Sequence, residues 1–237
     1  MEEAPELHCE PNLAIMLTHY QECMLHSVGD PECPPNAGFR QALREWQDRC
    51  QNVMVYEYYH KANWWGGLWP VWENILQDIP LFHEMGITGF NTQYSAANSL
   101  ARGLSYWLAA RLTRDPGAAG QELIEEWISG VYGQAADPMH EAYHLLAESF
   151  YGSEKHMPGG ARRIASVFDA ELCATLKDLC AAASGRAGGD EEKWAVAAFT
   201  RAVQHTDRLR RYSEGLYRAA ERDEELPAEL KELFNEV

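Results

Sequence analysis

Positive charge is scarce in this sequence. Lys and Arg number 20 against 36 Asp and Glu, for a formal charge of −16. Nucleic acid and anionic lipid are recognised by clustered cations, so neither is expected as a partner. No apolar run approaches the roughly 18 residues of a membrane span. The start, Met1-Glu2-Glu3-Ala4-Pro5-Glu6, lacks the basic residues and apolar run of a signal peptide. The expectation is therefore a cytoplasmic chain with reduced thiols. Its six cysteines include no C-x-x-C pair, which argues against a zinc ribbon or a thioredoxin-like site. Cys173 and Cys180, seven apart, stack on one helical face and read as small core residues. A G-x-S-x-G elbow, a Walker A loop and a G-x-G-x-x-G fingerprint are all missing, so the common hydrolase, nucleotide and dinucleotide signatures give no lead.

What is present is ordinary globular composition. The 237 residues are 46% hydrophobic and 24% charged, enough for one large domain with a sizeable core. The organisation changes along the chain. Leu13 to Leu17 reads as a buried strand ending in polar Thr18-His19. A Gly/Pro/Asp loop follows, and Asn36 is placed to cap a helix running to about Cys50 with Phe39, Leu43 and Trp46 on one face. Val53 to Tyr59 is a second strand. Pro70 opens a helix to about Met85, Gly86 ends it, and Ile87 to Gln93 is a third strand. This alternation is the signature of a parallel sheet with crossover helices. From Ala96 onward the pattern is helical throughout, at about 97–113, 119–132, 138–150, 162–184, 190–222 and 227–236. The domain expectation is 1–95 as a partial β/α barrel with three strands and 96–237 as a helical C-terminal region.

Three βα units cannot close an eight-stranded barrel, which needs roughly 200 residues or more. The fold class expected is α/β: the C-terminal portion of a (β/α)8-type barrel followed by an all-helical region. An open three-stranded sheet has apolar edges and an uncovered face, so self-association or a missing N-terminal barrel segment is the expected partner.

In parallel α/β folds, functional groups collect at the C-terminal ends of the strands. Here the strand ends supply His19 and Glu22, then Glu57, Tyr59, His60, Asn63, Trp64 and Trp65, then Asn91 and Gln93. Seven of the 26 aromatics fall between Tyr56 and Trp72. Sugars offer apolar C–H faces rimmed with hydroxyls, which flat rings flanked by amides, imidazoles and carboxylates complement. Trp69 and Trp72 read as core; Trp64 and Trp65, beside two glycines, are candidates to face a ligand. Glycoside hydrolysis needs two carboxyl groups, about 5–5.5 Å apart for retention or about 6.5–9.5 Å for inversion. Glu57 and Glu22 are the candidate pair. Strand alternation sets Tyr56 and Tyr58 opposite Glu57. Few cations lie near Glu57, so it is expected to point inward, with Tyr56 and Tyr58 beneath the helices and the sugar-contacting rings coming from Tyr59, Trp64 and Trp65.

His140-Glu141-Ala142-Tyr143-His144 matches H-E-x-x-H, whose two histidines could share a zinc ion. No third-ligand motif follows, so neither a metal nor any other cofactor is expected, and a zinc hydrolase is the weakest of the three readings.

The ordered set Pro34-Pro35-Asn36, Phe39, Leu43, Trp46, Val53 to Tyr59 and Met85 to Phe90 resembles part of a known domain. Cys23, His26, Cys33, Leu112, Asp115-Pro116 and Tyr132-Gly133 look like its pattern too. The domain is the domain of unknown function 4838, which defines glycoside hydrolase family 163, and the resemblance covers about Asn12 to Phe150. It implies a (β/α)8-type barrel with helices after it, and an endo-β-N-acetylglucosaminidase-like activity using a carboxylate pair and no metal. It also implies that the first half of the domain, with at least one catalytic carboxylate, is missing. The function expected is thus a carbohydrate-active protein, a glycosidase fragment, with a non-catalytic glycan-binding remnant as the alternative.

Overall fold

The computed structural model describes residues 6, 8–20, 23–59, 67–94, 102–153, 156–157, 167–222 and 227–228. Three parallel strands, β1 (Ala14–Thr18), β2 (Asn52–Glu57) and β3 (Gly89–Thr92), pair in the order β1-β2-β3. Two helices, α1 (Pro34–Gln47) and α2 (Trp72–Glu84), form the crossovers. Because the strand order advances in one direction, right-handed crossovers bring both helices to the same face. There Val53 and Val55 of β2 pack with Phe39 and Leu43 of α1 and Phe82 of α2, with Ile15 and Leu17 of β1 at the margin.

The element starts follow local chemistry. Pro34 and Pro35 occupy the first two positions of α1, where a missing N–H costs nothing, and Cys33 is the N-cap. Asn36 is therefore a buried residue inside the helix rather than its cap. Trp72 begins α2, two residues later than Pro70. Gly86 ends that helix with φ of 76°. In the arrangement that follows, the Gly86 amide donates to the His83 carbonyl at 3.0 Å and the Ile87 amide to Phe82 at 2.9 Å, a Schellman closure that needs the left-handed conformation glycine adopts freely. The first strand is not buried as expected: Leu13 and Met16 are 48% and 40% exposed. It lies at the edge of the described sheet and pairs with β2 alone among the described strands.

Beyond the sheet lie α3 (Gly103–Arg114), α4 (Gly120–Tyr132), α5 (Ala136–Tyr151), α6 (Ala170–Arg186) and α7 (Asp190–Arg222). The helices expected at 97–113 and 162–184 begin later, at Gly103 and Ala170; residues 97–101 and 162–166 lie outside the described residues, as does nearly all of 227–236. At 33 residues, α7 is about 50 Å long. A second, larger core joins these helices, with Trp69, Tyr143, Phe150, Phe168 and Phe199 fully enclosed. Trp69 meets Phe150 edge-on at 5.2 Å, and Tyr143 meets Phe199 at the same distance. Cys173 and Cys180 are buried in this core and all six cysteines are free. Helix α2 belongs to both cores: Trp72, Ile75 and Ile79 face the helical side and Phe82 the sheet. Hydrogen bonds reinforce the junction. The Leu68 amide donates to the Thr206 hydroxyl at 2.8 Å, and the Asn74 amide to the Tyr151 hydroxyl at 3.0 Å. Among the described residues no helix is long and apolar enough to cross a membrane.

Candidate functional site

Parallel pairing brings His19, just past β1, beside Glu57 at the end of β2; the His19 amide continues the ladder to the Tyr56 carbonyl at 3.1 Å. Burial alternates along β2, with Val53, Val55 and Glu57 enclosed and Asn52, Met54 and Tyr56 half-buried. Glu57 therefore shares the face of the two valines, beneath α1 and α2. This reverses the expected orientation. The physical reason is that a cation is present after all: the carboxylate oxygens of Glu57 lie 3.0 and 3.1 Å from His19 Nδ1. An unpaired buried carboxylate would be costly, and His19 removes that cost.

The pair is the centre of a buried polar network. His19 Nε2 donates to Asn36 Oδ1 at 3.1 Å, so both ring nitrogens face acceptors and the ring is held as the imidazolium. Burial alone would lower the His19 pKa, but the Glu57 charge and the hydrogen bonds to Glu57 and Asn36 outweigh it and raise it to about 9. The ring also stacks on Phe39, with centroids 4.7 Å apart. Asn36 is fully enclosed and fully used. Its oxygen also accepts the Cys23 amide at 3.0 Å, while its nitrogen donates to the carbonyls of His26 and Ser27 at 2.9 and 3.0 Å. Asp78 of α2 takes the hydroxyl of Ser27 at 2.6 Å and the amide of Val28 at 2.7 Å. Burial pushes the Asp78 carboxyl up to about 7, and the Glu57 charge adds to it; Ser27, His19 and Val28 act in the opposite direction.

The other face of the sheet is open and tyrosine-lined. The register aligns Thr18, Tyr56 and Asn91 in one row across the three strands, and Met16, Met54 and Gly89 in the next. Tyr58 lies 5.1 Å from Tyr20 and 5.2 Å from Tyr56, ring to ring. Tyr20 is 47% exposed and Tyr94, past β3, is 68% exposed and packs on Tyr106. Asn91 is exposed and Gln93 half-buried at this end of the sheet. Tyr59, expected to contact sugar, is instead buried against Phe90 at 5.5 Å, and its amide donates to the Thr92 hydroxyl. Its phenol is held well above its ordinary pKa by burial, with the charges of Glu57 and Asp78 adding. Glu22, His60, Asn63, Trp64 and Trp65 lie outside the described residues. The residues singled out by sequence and brought together are thus Glu57 and His19, but as an enclosed pair. Asn36 and Asp78 were not among the candidates, and Tyr56 and Tyr58, expected beneath the helices, lie on the opposite face.

The H-E-x-x-H histidines occupy α5 and do not converge on a third ligand-type side chain among the described residues. His140 Nε2 faces Glu125 at 3.2 Å, whereas His144 points outward and faces Glu148 at 3.4 Å. A different set does converge. Cys23, His26 and Cys33, from the β1–α1 connection, meet His156, and their four ligand-type atoms all lie within 4.8 Å of one another. No C-x-x-C pair marks this set in the sequence, but Cys23-x-x-His26 is a ligand-like spacing that does. Burial, together with the neighbouring Cys23 thiol, pushes the Cys33 thiol up to about 12.

With this geometry in place, the model for the family described as "Domain of unknown function (DUF4838)" matches residues 1–144. The chain belongs to the DUF4838 family. The match to DUF4838 spans the whole sheet, α1 to α4 and half of α5, and so includes the Glu57–His19 network, the tyrosine face, and Cys23, His26 and Cys33; His156 lies beyond it. No curated protein and no solved structure matches the chain.

Proposed function

We propose that this chain is a carbohydrate-binding element: an arc of a (β/α)8-type barrel that recognises sugar on the open face of its sheet. The observation that carries the reading is the adjacent ring set of Tyr20, Tyr58 and Tyr56, with exposed Asn91 beside it at the C-terminal ends of parallel strands. Flat rings suit the C–H faces of pyranoses, and the neighbouring amide and hydroxyl of Asn91 and Thr18 suit their hydroxyl rims. In a barrel this face would be the lumen, because both crossover helices lie on the opposite side. The resemblance to glycoside hydrolase family 163 supports the choice of sugar as ligand, and N-acetylglucosamine-containing glycans are the class to try first.

Within this reading Glu57 is a structural carboxylate. It is 2% exposed, committed to His19, and turned towards the helices. A glycosidase activity of the family type would draw its acid/base pair from other carboxylates.

The test is titration calorimetry of the purified chain with N-acetylglucosamine oligosaccharides, alongside the Tyr58→Ala variant. Binding in the millimolar range or tighter is expected, weakened about tenfold by loss of the central ring, which corresponds to the 1.4 kcal/mol of one good contact. Absence of binding, or binding indifferent to Tyr58→Ala, removes the reading.

A further inference from the structure

The β1–α1 connection and the segment after α5 meet at four side chains that have no part in the sugar-binding reading. Cys23 Sγ lies 3.3 Å from His26 Nδ1, and Cys33 Sγ lies 3.5 Å from His156 Nδ1. The two imidazole rings stand 5.0 Å apart at 69°. A tetrahedral zinc ion with Zn–S near 2.3 Å and Zn–N near 2.0–2.1 Å sets its ligand atoms about 3.4–3.8 Å from one another. The two sulfur–nitrogen separations fall at or close to that range, and the 4.8 Å limit on the whole set leaves only a small contraction.

We infer that Cys23, His26, Cys33 and His156 form a closed Cys2His2 site for a zinc-class divalent cation, which fastens the β1–α1 loop to the segment beyond α5. Two thiolates and two neutral imidazoles neutralise the ion, so the complex suits a largely buried position where an isolated charge would not survive. The surroundings already orient the ligands. His26 Nε2 donates to the Ser153 carbonyl at 3.1 Å, which fixes the tautomer and leaves the Nδ1 lone pair towards the cluster. The Met157 amide points at Cys23 Sγ from 3.4 Å, as amides do towards metal-bound thiolates, and the Met24 amide pairs with the Met157 carbonyl at 3.2 Å. Cys33 is the N-cap of α1, so the helix start fixes where its sulfur lies. Both cysteines are fully enclosed while both histidines are half-exposed, so the ion would have a path in from the imidazole side. Four protein ligands leave no open position, so the ion would be structural rather than catalytic.

This site also explains why the loop is so heavily tied. Asn36 holds the Cys23 amide and the His26 carbonyl while accepting from His19. The ion would therefore set the loop against which the His19–Glu57 pair is built.

The experiment is elemental analysis of the full chain purified from zinc-supplemented medium, with cobalt substitution as a second readout. About one zinc per chain is expected, lost in Cys23→Ser and His156→Ala and retained in His144→Ala. The cobalt form of the unaltered chain should show tetrahedral d–d absorption and a thiolate-to-cobalt charge-transfer band, a readout that does not require any variant to fold. A chain carrying no metal after supplementation, a Cys23–Cys33 disulfide in its place, or a cobalt spectrum lacking thiolate charge transfer would overturn the assignment. So would metal that survives Cys23→Ser and disappears in His144→Ala.

Discussion

Along β2 the side chains alternate between two surroundings made by the same strand. Beneath α1 and α2, Val53 and Val55 are sealed among phenylalanines and leucines, and Glu57 continues their row. On the opposite side Met54 and Tyr56 are half-buried, with Met16 of the neighbouring strand and Tyr20 just past it exposed. The closed face holds the charge in its row by pairing it: imidazolium to carboxylate, then amide to imidazolium, then loop backbone to amide. The open face has no such obligation, since its rows, Thr18-Tyr56-Asn91 and Met16-Met54-Gly89, carry no ionised group. Closure makes a polar group a stability determinant; openness leaves it available for a ligand. The same comparison explains why a carboxylate at a strand's C-terminal end need not be catalytic.

The largest expected difference between the faces follows from removing half of the buried pair. Glu57→Leu would leave His19 as an uncompensated buried cation or force it neutral. Breaking such a pair costs about 3–5 kcal/mol. Urea unfolding should show that loss, and a change below about 1 kcal/mol would mean that the pair is not closed in solution.

The pH dependence should be nearly as large. The folded pKa of His19 is raised from 6.5 to about 9. Its stabilisation is therefore complete below about pH 6.5 and is lost as the pH rises through 9, a change on the order of 3 kcal/mol. Asp78 has its pKa raised from 3.8 to about 7, so its cost accrues as the pH climbs from about 4 to 7 and is constant above. The decline between about pH 7.5 and 8.5 thus belongs to His19, while above about pH 8.5 the raised thiols of Cys33 and Cys173 add to it. His19→Gln should flatten that limb of the stability–pH curve; an unchanged limb would assign it elsewhere.

The sequence made the layer order legible because its physics is local. Period-two burial in β2, the apolar stripe of α1, the glycine after α2 and the helical run past Gly103 all announce themselves within a few residues. Which face of β2 is closed was not legible. Alternation separates Glu57 from Tyr56 and Tyr58 but does not say which side lies under the helices. The deciding cation, His19, is 38 residues away, and a lone histidine just past a strand does not declare its charge in the local pattern. Asn36 is a residue type that caps helices, but its four hydrogen bonds, to His19, Cys23, His26 and Ser27, come from loop geometry that no local pattern encodes. The metal cluster shows the same limit. H-E-x-x-H is conspicuous in sequence and gathers no third ligand among the described residues, whereas His156 joins its cysteine from 123 residues away.

A smaller effect tests the floor of the open face. A Cβ on Gly89 would fall 2.3 Å from Met54 Cε and 2.9 Å from its Cγ, so Met54 lies across the glycine. Gly89→Ala must displace a flexible side chain and should cost about 1–2 kcal/mol, within the range for overpacking. Pairing it with Met54→Ala should recover part of that loss. A neutral Gly89→Ala would show that the methionine moves aside freely and that the tyrosines above have no fixed base.

The smallest effect on stability is expected at Tyr20. That residue is 47% exposed and its ring leans on Tyr58 past the end of β1, so close to half of it is already in water. Tyr20→Ala should therefore change the unfolding free energy by no more than about 0.5 kcal/mol. Oligosaccharide affinity should nonetheless fall, because the outer ring of the face is gone. That pairing of a near-neutral stability change with weakened binding is the inverse of Glu57→Leu. A Tyr20→Ala variant that loses several kcal/mol would mean that this face is covered by packing rather than open to a ligand, and the contrast between the two sides of the sheet would collapse.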